Sequence, residues 1–555
     1  MKFTRRDLFV WGAGAAAGMV FTPVPWKLLD DVSIWTQNWP WIPQSAGGTV
    51  EIKQSFCSLC PNGCGLKVRT AAGWPVGVAG MATHPITRGA LCPLGLGAHQ
   101  LNWHPRRLKS VLHRGNSSSW NEARSAIARA CGEGPVVIVD GYPGRAASSL
   151  FETFAKRQKG SYRVAICPET QALTPYERWT GVSALSLGYD LENAGTIVSF
   201  GAPLLDGWGP PGRFTRLWAD RSAGQTNPQL RLIQVDEVLS RTAARASQWV
   251  PVRAGSESVL AAELARTLLE EHLVPARGPL PLISPQEACD RTGLTADAIR
   301  GLAQTVVAGR PAVAIANGDD PSVAALNVLL GAVGARGGII RTSRSARQYV
   351  SADVLPSARA VLIDATVPWD FVPQTDAEVF RFSAWNAGFT KADWLLPAPG
   401  FLEELTDVPT PPTSVLETYG VAVQLSHPPS EVQSAAQFLA SCDSSLPTVE
   451  AAICARCEVL FRGCRGTLYS ESATPISKIE SAQKLEEALW KGAVWVGDPP
   501  DAELLRCDVK EWPTPSAGVS NENWSAGWRA PVLPPLAAKL YKESTLRDAP
   551  DRRNA

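Results

Sequence analysis

Residues 56–68 read F-C-S-L-C-P-N-G-C-G-L-K-V, and residues 91–95 read L-C-P-L-G. Together they give the spacing C-x2-C-x3-C-x27-C. Three thiolates on one tight loop can cap a face of an iron–sulfur cubane, and a distant fourth thiolate completes the set. The glycines within the loop allow its backbone to approach the sulfurs closely. The pattern therefore predicts one 4Fe-4S cluster with these ligands: Cys57, Cys60, Cys64 and Cys92.

Two other chemistries remain open at this motif. A C-x2-C pair also suits tetrahedral zinc, and an oxidising compartment would favour disulfides. A second group, Cys454, Cys457 and Cys464, has no evident fourth ligand, so Cys442 or Cys507 would have to complete a metal site there. We expect structural thiols or one disulfide in that group. The chain has no C-x-x-C-H motif, so we expect no covalently attached c-type haem.

The bulk composition excludes a function that depends on net charge. The chain has 555 residues, with 53 Lys and Arg against 52 Asp and Glu, which gives a net charge of +1. Such a balance offers no electrostatic basis for binding nucleic acid. The length is enough for several domains. Twelve cysteines in a chain of this length are too few for a disulfide scaffold, so their spacing carries the information.

The N-terminus has the pattern of a twin-arginine export signal. Arg5 and Arg6 precede a short run of small and apolar residues, which is too short for a comfortable membrane span. We therefore expect export in the folded state to the periplasmic side of the membrane. Trp35, Trp39 and Trp41 follow in an extended, proline-containing leader. Aromatic residues at that density suit a partner surface or a membrane interface, although packing along the chain itself is equally open.

Beyond residue 110, short apolar runs alternate with amphipathic stretches. The predicted strands are 135–141, 196–201, 231–236, 311–318 and 360–365. Each is rich in apolar residues and ends near Gly or Asp, as buried parallel strands do. Helical patterns lie between them, for example at 258–271 and 324–332. The sequence therefore predicts an α/β fold, with a small N-terminal iron–sulfur domain followed by parallel-sheet α/β domains.

The chain resembles the molybdopterin oxidoreductases. The cluster motif, residues 100–115 (Q-L-N-W-H-P-R-R-L-K-S-V-L-H-R-G) and the following W-N-E-A are similar to the family's cluster domain. Three later segments, 190–203, 231–257 and 391–404, resemble family motifs in the same order. The resemblance implies a fold that holds two pterin guanine dinucleotides and molybdenum or tungsten between its α/β domains.

Several positions that bind this cofactor in the family are altered. Leu94 stands where a lysine or arginine commonly bridges cluster and pterin. The glycine turns and dinucleotide segments also differ, at Gly201-Ala202-Pro203, Asp236-Glu237-Val238, Ala254-Gly255-Ser256-Glu257 and 365–368. Because buried phosphates need their hydrogen-bond donors, we expect the pterin cofactor to be absent. Cys167 matches the family's metal-ligating cysteine, and it would be either the molybdenum ligand or a retained core residue.

The chain also resembles the molybdopterin-like subunits of menaquinone reductase and alternative complex III. This resemblance implies an electron-transfer or structural subunit of a membrane respiratory complex that connects cytochrome c and quinone. The implied partners are an integral membrane quinone-binding subunit, a multihaem cytochrome c subunit, and a ferredoxin-like iron–sulfur subunit. The alternative is an active molybdenum or tungsten reductase of the polysulfide or thiosulfate type.

The expected organisation has five parts. They are the signal and tryptophan-rich leader (1–48), the cluster domain (49–108), an α/β domain (109–165 with 341–430), an inserted α/β domain (166–340), and a reduced C-terminal region with a docking tail (431–555).

Overall fold

The computed structural model describes residues 4–21, 49–205, 208–209, 211–222, 230–275, 281–342, 355–367, 371, 373–386, 392–500, 505–507 and 509–515. The tryptophan-rich leader and the proline-punctuated tail of the sequence lie outside these ranges. Within the ranges, the strands form five sheets. The helices are α1 (Arg5–Phe21), α2 (Pro93–Gly97), α3 (Trp120–Glu133), α4 (Ala146–Arg157), α5 (Pro168–Gln171), α6 (Thr174–Thr180), α7 (Pro211–Ser222), α8 (Arg241–Arg245), α9 (Glu257–Glu270), α10 (Pro285–Thr292), α11 (Ala296–Ala308), α12 (Pro321–Leu330), α13 (Ala435–Cys442), α14 (Val449–Gly463) and α15 (Ala482–Trp490).

The N-terminal sheet is a small antiparallel meander of β1 (Val50–Phe56), β2 (Gly65–Ala71) and β3 (Trp74–Gly80). The eight-residue connection between β1 and β2 is the predicted cluster loop, residues 57–64. Leu66 and Val68 on β2 pack with Phe401 and Leu402 into a small core of their own. The cluster loop is therefore held between this meander and a distant part of the chain.

A mixed sheet carries the next layer, in the order β5-β4-β16-β15-β14-β6-β7. Its strands are β4 (Leu112–His113), β5 (Asn116–Ser117), β6 (Val136–Asp140), β7 (Ser161–Val164), β14 (Ala360–Ile363), β15 (Glu378–Ser383) and β16 (Trp394–Pro397). The strands from β16 to β7 are parallel. All residues of β6 and β14 are buried, as expected for strands covered on both faces. Helix α3 begins at a capping box of Ser119 and Glu122.

The inserted domain contains a parallel sheet in the order β11-β10-β9-β12. Its strands are β9 (Thr196–Phe200), β10 (Arg231–Asp236), β11 (Gln248–Pro251) and β12 (Ala312–Ala316). The same domain contains a separate two-stranded antiparallel sheet of β8 (Leu187–Tyr189) and β13 (Ile339–Arg341). Helices α9 and α12 cover the sheet and supply much of its core. The α/β prediction is confirmed, including all five predicted strands and both predicted helical stretches.

The last sheet has the order β17-β18-β21-β19-β20 and is antiparallel. Its strands are β17 (Thr406–Pro409), β18 (Thr418–Ala422), β19 (Thr467–Tyr469), β20 (Ala473–Pro475) and β21 (Val494–Val496). The boundary expected at residue 430 passes through this sheet, because two of its strands precede that residue and three follow it. Helices α14 and α15 cover it, so the C-terminal region has a core of its own.

Helix α1 is the element that the sequence marked as an export signal. Its apolar side chains Leu8, Phe9, Val10 and Trp11 are 65–80% exposed. No helix among the described residues is both long enough and apolar enough to traverse a bilayer. Export by the twin-arginine route stays a prediction.

Candidate iron–sulfur site

The cluster loop is closed by the hydrogen bonds of the hairpin that carries it. The Cys57 amide donates to the Cys64 carbonyl at 2.8 Å, next to the last residue pair of β1 and β2. Gly63 has a φ of +55°, and a Cβ there would lie 2.0 Å from Cγ1 of Val408. A Cβ on Gly65 would lie 2.8 Å from the His84 ring. Both glycines are therefore required by close contacts and, at Gly63, by a left-handed backbone.

Two of the predicted ligands accept hydrogen bonds at sulfur. The Asn62 side chain, which is 1% exposed, donates from Nδ2 to Sγ of Cys60 at 3.2 Å and to the Gly209 carbonyl at 3.1 Å. Cys92 caps α2, and its Sγ accepts from the Gly95 amide at 3.4 Å. Donors to sulfur stabilise thiolate charge and tune the reduction potential of a bound cluster.

Electrostatic interactions relate Cys57 to Cys60 and Cys92, and relate Tyr142 to Cys60 and Cys64. Burial, followed by the charges of Cys60 and Cys92, raises the pKa of Cys57. Burial and the charge of Cys60 raise the pKa of Tyr142, and Cys64 adds to the effect. Four mutually repelling thiolates are the donor set that suits a soft, cationic iron–sulfur centre. The residues present therefore fit a 4Fe-4S cluster, which Cys57, Cys60, Cys64 and Cys92 would hold and which would supply one-electron transfer.

The described ranges contain no group of three or more His, Cys, Asp and Glu side chains close enough to hold a single metal ion. The assignment of the four cysteines as cluster ligands stays a prediction.

At the carboxyl edge of the inserted sheet, acidic side chains occupy the dinucleotide-binding positions of the family. Gly201 ends β9 with a φ of +67°, and Oε1 of Glu257 lies 3.8 Å from the place of a Cβ on it. Burial raises the pKa of Glu257, and the charges of Glu237, Asp236 and Asp320 raise it further. Four carboxyl groups close enough to repel one another disfavour a second anionic group, such as a diphosphate, at this edge.

The carboxyl edge of the mixed sheet is filled by an ion-pair network. The Arg145 side chain is buried between Asp140, at the end of β6, and Asp364, which follows β14, with N···O distances of 2.9 and 2.8 Å. Burial alone would lower the pKa of Arg145, but the two carboxylates raise it. A Cβ on Gly141 would lie 2.3 Å from the Thr366 carbonyl, so this edge is tightly packed. The altered turn at 365–368 belongs to this edge, and Pro368 lies outside the described residues.

Cys167 and Leu94 occupy the places that the sequence indicated. Cys167 is 5% exposed and caps α5, and its Sγ lies 3.2 Å from Oγ1 of Thr170. This helix follows β7, so Cys167 lies at the carboxyl edge of the mixed sheet, where α/β folds bind ligands. Leu94 is half-buried in α2, two residues after Cys92, and its side chain offers no charge or hydrogen bond to a pterin.

Within the described part of the chain, the C-terminal cysteines do not form a metal-binding group. Cys454 and Cys457 lie on α14, where Cys454 donates to Glu486 at 3.1 Å. Burial and the charge of Glu486 raise the pKa of Cys457 to about 12. Cys464 caps the helix and is exposed. The proposed fourth ligands are elsewhere, since Cys442 interacts with Cys131 and Cys507 packs on the core of the inserted domain.

Sequence patterns did not identify the buried ion pair that joins the cluster domain to the mixed sheet. The Arg107 guanidinium binds the Glu403 carboxylate and also donates to the carbonyls of Ala384 and Ala398. Both charged side chains are at most 3% exposed. Arg107 lies in the segment H-P-R-R-L, and Glu403 lies in the segment L-P-A-P-G-F-L-E-E. Both segments resemble family motifs, and this resemblance is the sequence feature that could have drawn attention to the pair.

Comparisons with known proteins agree with this geometry. Residues 50–102, which include all four cysteines, match the Molybdopterin oxidoreductase Fe4S4 domain. The menaquinone reductase molybdopterin-binding-like subunit of Nitratidesulfovibrio vulgaris is 29% identical over 485 residues, covering 77% of this chain and 70% of that protein. The nitrate reductase of Klebsiella oxytoca is 25% identical over 220 residues, covering 37% of this chain and 25% of that protein.

A solved structure shares the fold. Acetylene hydratase from Pelobacter acetylenicus matches with a TM-score of 0.59 and 14% identity, covering 81% of this chain and 75% of that one. At that identity the match concerns the fold alone. The cluster-domain match and the similarity over most of the chain show that this protein is similar to the molybdopterin oxidoreductases.

Proposed function

We propose that this protein is an electron-transfer subunit of a membrane respiratory complex, with one 4Fe-4S cluster and no pterin cofactor. Three cysteines on the cluster loop, with Cys92 close enough to interact with Cys57, carry the electron-transfer part of the proposal. The acidic edge around Gly201 and the closed Arg145 network support loss of the pterin, because both occupy space and charge that dinucleotides would need.

The similarity to a menaquinone reductase subunit supports a place in a quinone-linked complex. In this proposal, the protein connects a multihaem cytochrome c subunit with an integral membrane quinone-binding subunit, and a ferredoxin-like iron–sulfur subunit neighbours it. It faces the periplasm after twin-arginine export. The tryptophan-rich leader and the C-terminal tail are the segments that we assign to subunit contacts.

Metal analysis of the purified full chain tests the proposal. We expect about four irons per chain, as one 4Fe-4S cluster requires, with neither molybdenum nor tungsten in stoichiometric amount. The rival function is an active molybdenum or tungsten reductase of the polysulfide or thiosulfate type, which the position of Cys167 favours. Stoichiometric molybdenum or tungsten would establish that rival and contradict our proposal.

The hydrogen bond from Asn62 to the Cys60 sulfur should raise the reduction potential of the cluster. Replacing Asn62 by Ala removes the donor to Cys60 Sγ, so the thiolate charge is less stabilised and the reduction potential should fall, by on the order of tens of millivolts. EPR-monitored redox titration measures this. Asn102→Ala is the matched control, because Asn102 bonds Phe401 and Ser426 rather than a cysteine. An unchanged potential in Asn62→Ala, or an equal shift in both variants, would contradict the assignment.

A further inference from the structure

A buried carboxyl group lies behind the strand that packs against the cluster loop. Val408 of β17 contacts Gly63, between two predicted cluster ligands. The Pro409 carbonyl accepts from the Tyr142 hydroxyl at 3.1 Å, and Tyr142 interacts with Cys60 and Cys64. Asp407 immediately precedes Val408 in this strand. Asp407 is thus connected to the cluster loop through Val408 and Tyr142.

The environment of Asp407 leaves one of its oxygens without a hydrogen bond of ordinary geometry. The residue is 0% exposed, and its Oδ1 accepts from the Ala146 amide at 2.7 Å, at the start of α4. In the part of the chain that is described, neither Oδ2 nor the Tyr419 hydroxyl makes a hydrogen bond of ordinary length and angle. The two groups are neighbours, because burial and then the charge of Asp407 raise the pKa of Tyr419. A proton on Oδ2 would allow the carboxyl group to donate to this hydroxyl.

The neighbouring cations compensate the charge of Asp407 only in part. Nη1 of Arg456, on α14, lies 3.9 Å from Oδ2, at the outer limit of an ion pair. Arg145 lies at the start of α4 and is bound to Asp140 and Asp364. Burial consequently raises the pKa of Asp407 despite Arg456 and Arg145.

The other titratable groups that face Asp407 are uncharged at neutral pH. Burial raises the pKa of Tyr142, Tyr419 and Cys457 above their ordinary values. The Arg456 side chain is 39% exposed and its guanidinium lies 4.8 Å from the centre of the Tyr419 ring. The side chain is therefore partly open to solvent, and its guanidinium lies 3.9 Å from Oδ2.

We propose that Asp407 is a proton-binding site coupled to reduction of the cluster held by the four cysteines. The inference rests on the proposed function, because it needs that cluster. On one-electron reduction by an external reductant, the site gains one negative charge, and the Asp407 carboxylate takes one proton from water to form an O–H bond at Oδ2. An O–H bond of the donating solvent molecule breaks as this bond forms, and the hydroxide left behind is neutralised by the buffer. Electron and proton uptake favour each other reciprocally, so the reduction potential should fall as pH rises.

Redox titration of the full chain with dithionite, followed by EPR over a range of roughly pH 5 to 9, tests this. For one proton per electron, the midpoint potential should fall by up to about 59 mV per pH unit where Asp407 titrates. Asp407→Asn should remove the slope. Asp320→Asn is the matched control and should keep it, because Asp320 is also buried but caps α12 and bonds Ser258. A cluster whose potential is independent of pH, or a slope retained in Asp407→Asn, would overturn the proposal.

Tyr419→Phe provides a second variant in case Asp407→Asn does not fold. It removes the hydroxyl beside Oδ2, which can donate to the carboxylate or accept from the protonated carboxyl group, so the proton affinity of Asp407 should change about tenfold and the pH of the break should move by about one unit. An unmoved break would also overturn the proposal. Absence of any reducible cluster signal would overturn the proposed function as well, so the two failures are distinguishable.

Discussion

Replacing Cys60 by Ser is expected to abolish the reducible iron–sulfur signal. Cys60 and Cys92 both act on the pKa of Cys57, and Asn62 donates to the Cys60 sulfur, as expected for a cluster ligand. A serine hydroxyl is a much harder and less acidic donor than a thiol, and it is a poor ligand for a soft iron–sulfur centre. Iron content and the EPR spectrum of the reduced protein measure the outcome. We expect most of the iron and the whole native signal to be lost.

Cys454→Ser is the matched control for this loss. Cys454 is also a half-buried thiol with one polar partner, Glu486, but it lies on α14 in the C-terminal region. Replacing the sulfur of Cys454 by oxygen should leave the iron content and the EPR spectrum of the reduced protein unchanged. A full iron complement in Cys60→Ser would show that the cluster motif holds no cluster through this residue, and loss in both variants would point to a general effect on folding.

The parallel strands could be predicted from sequence because each is a local pattern. The run P-V-V-I-V-D-G is apolar on both faces and ends at polar residues, which is sufficient to define β6. The cysteine spacing was equally local, since three candidate ligands lie on one hairpin loop. The cluster-domain match supports the iron–sulfur prediction. The expected absence of pterin, the partners and the periplasmic location stay predictions.

The buried ion pairs were not predictable, because they join residues that are distant in the sequence. Arg145 binds Asp364 across 219 positions, and Arg107 reaches Glu403 across 296. No periodicity encodes such pairs. The five-stranded sheet is a similar case, since β18 pairs with β21 after a long helical excursion. The short strands β19 to β21 have only three residues each, which is too few for an alternation to stand out.

The contacts at the two sheet edges support the interpretation of Leu94 as an altered cofactor contact. A single apolar residue beside a cluster is weak evidence for a lost cofactor. The edge around Gly201 is acidic and the edge around Arg145 is closed, so three separate places change in the same direction. Conversely, the cluster loop keeps its glycines and its donors to sulfur. Retained ligands beside altered cofactor contacts are what a relay protein needs, because a relay must exchange electrons without transforming a substrate.

Replacing Arg107, whose positive charge lies at the contact between the cluster domain and the mixed sheet, should strongly lower the free energy of unfolding. Arg107→Ala would leave Glu403 buried without its cation and would also free the carbonyls of Ala384 and Ala398. Breaking a buried pair on one side typically costs about 3–5 kcal/mol, since the remaining charge is uncompensated. Urea denaturation followed by fluorescence measures the loss. The destabilisation caused by Arg107→Ala should become smaller as pH falls. Burial already raises the pKa of Glu403, so protonation at lower pH removes the uncompensated negative charge.

An exposed pair provides the comparison for Arg107. Arg114 bonds Asp393 at 3.2 Å, but its side chain is 70% exposed, so solvent screens the interaction. Arg114→Ala should therefore cost no more than about 1 kcal/mol. Equal destabilisation by the two variants would show that Arg107 contributes no more than a surface charge. Because Arg107 and Glu403 belong to two segments that enclose the cluster loop, we also expect Arg107→Ala to lower the cluster content of the purified protein, whereas Arg114→Ala should leave it unchanged.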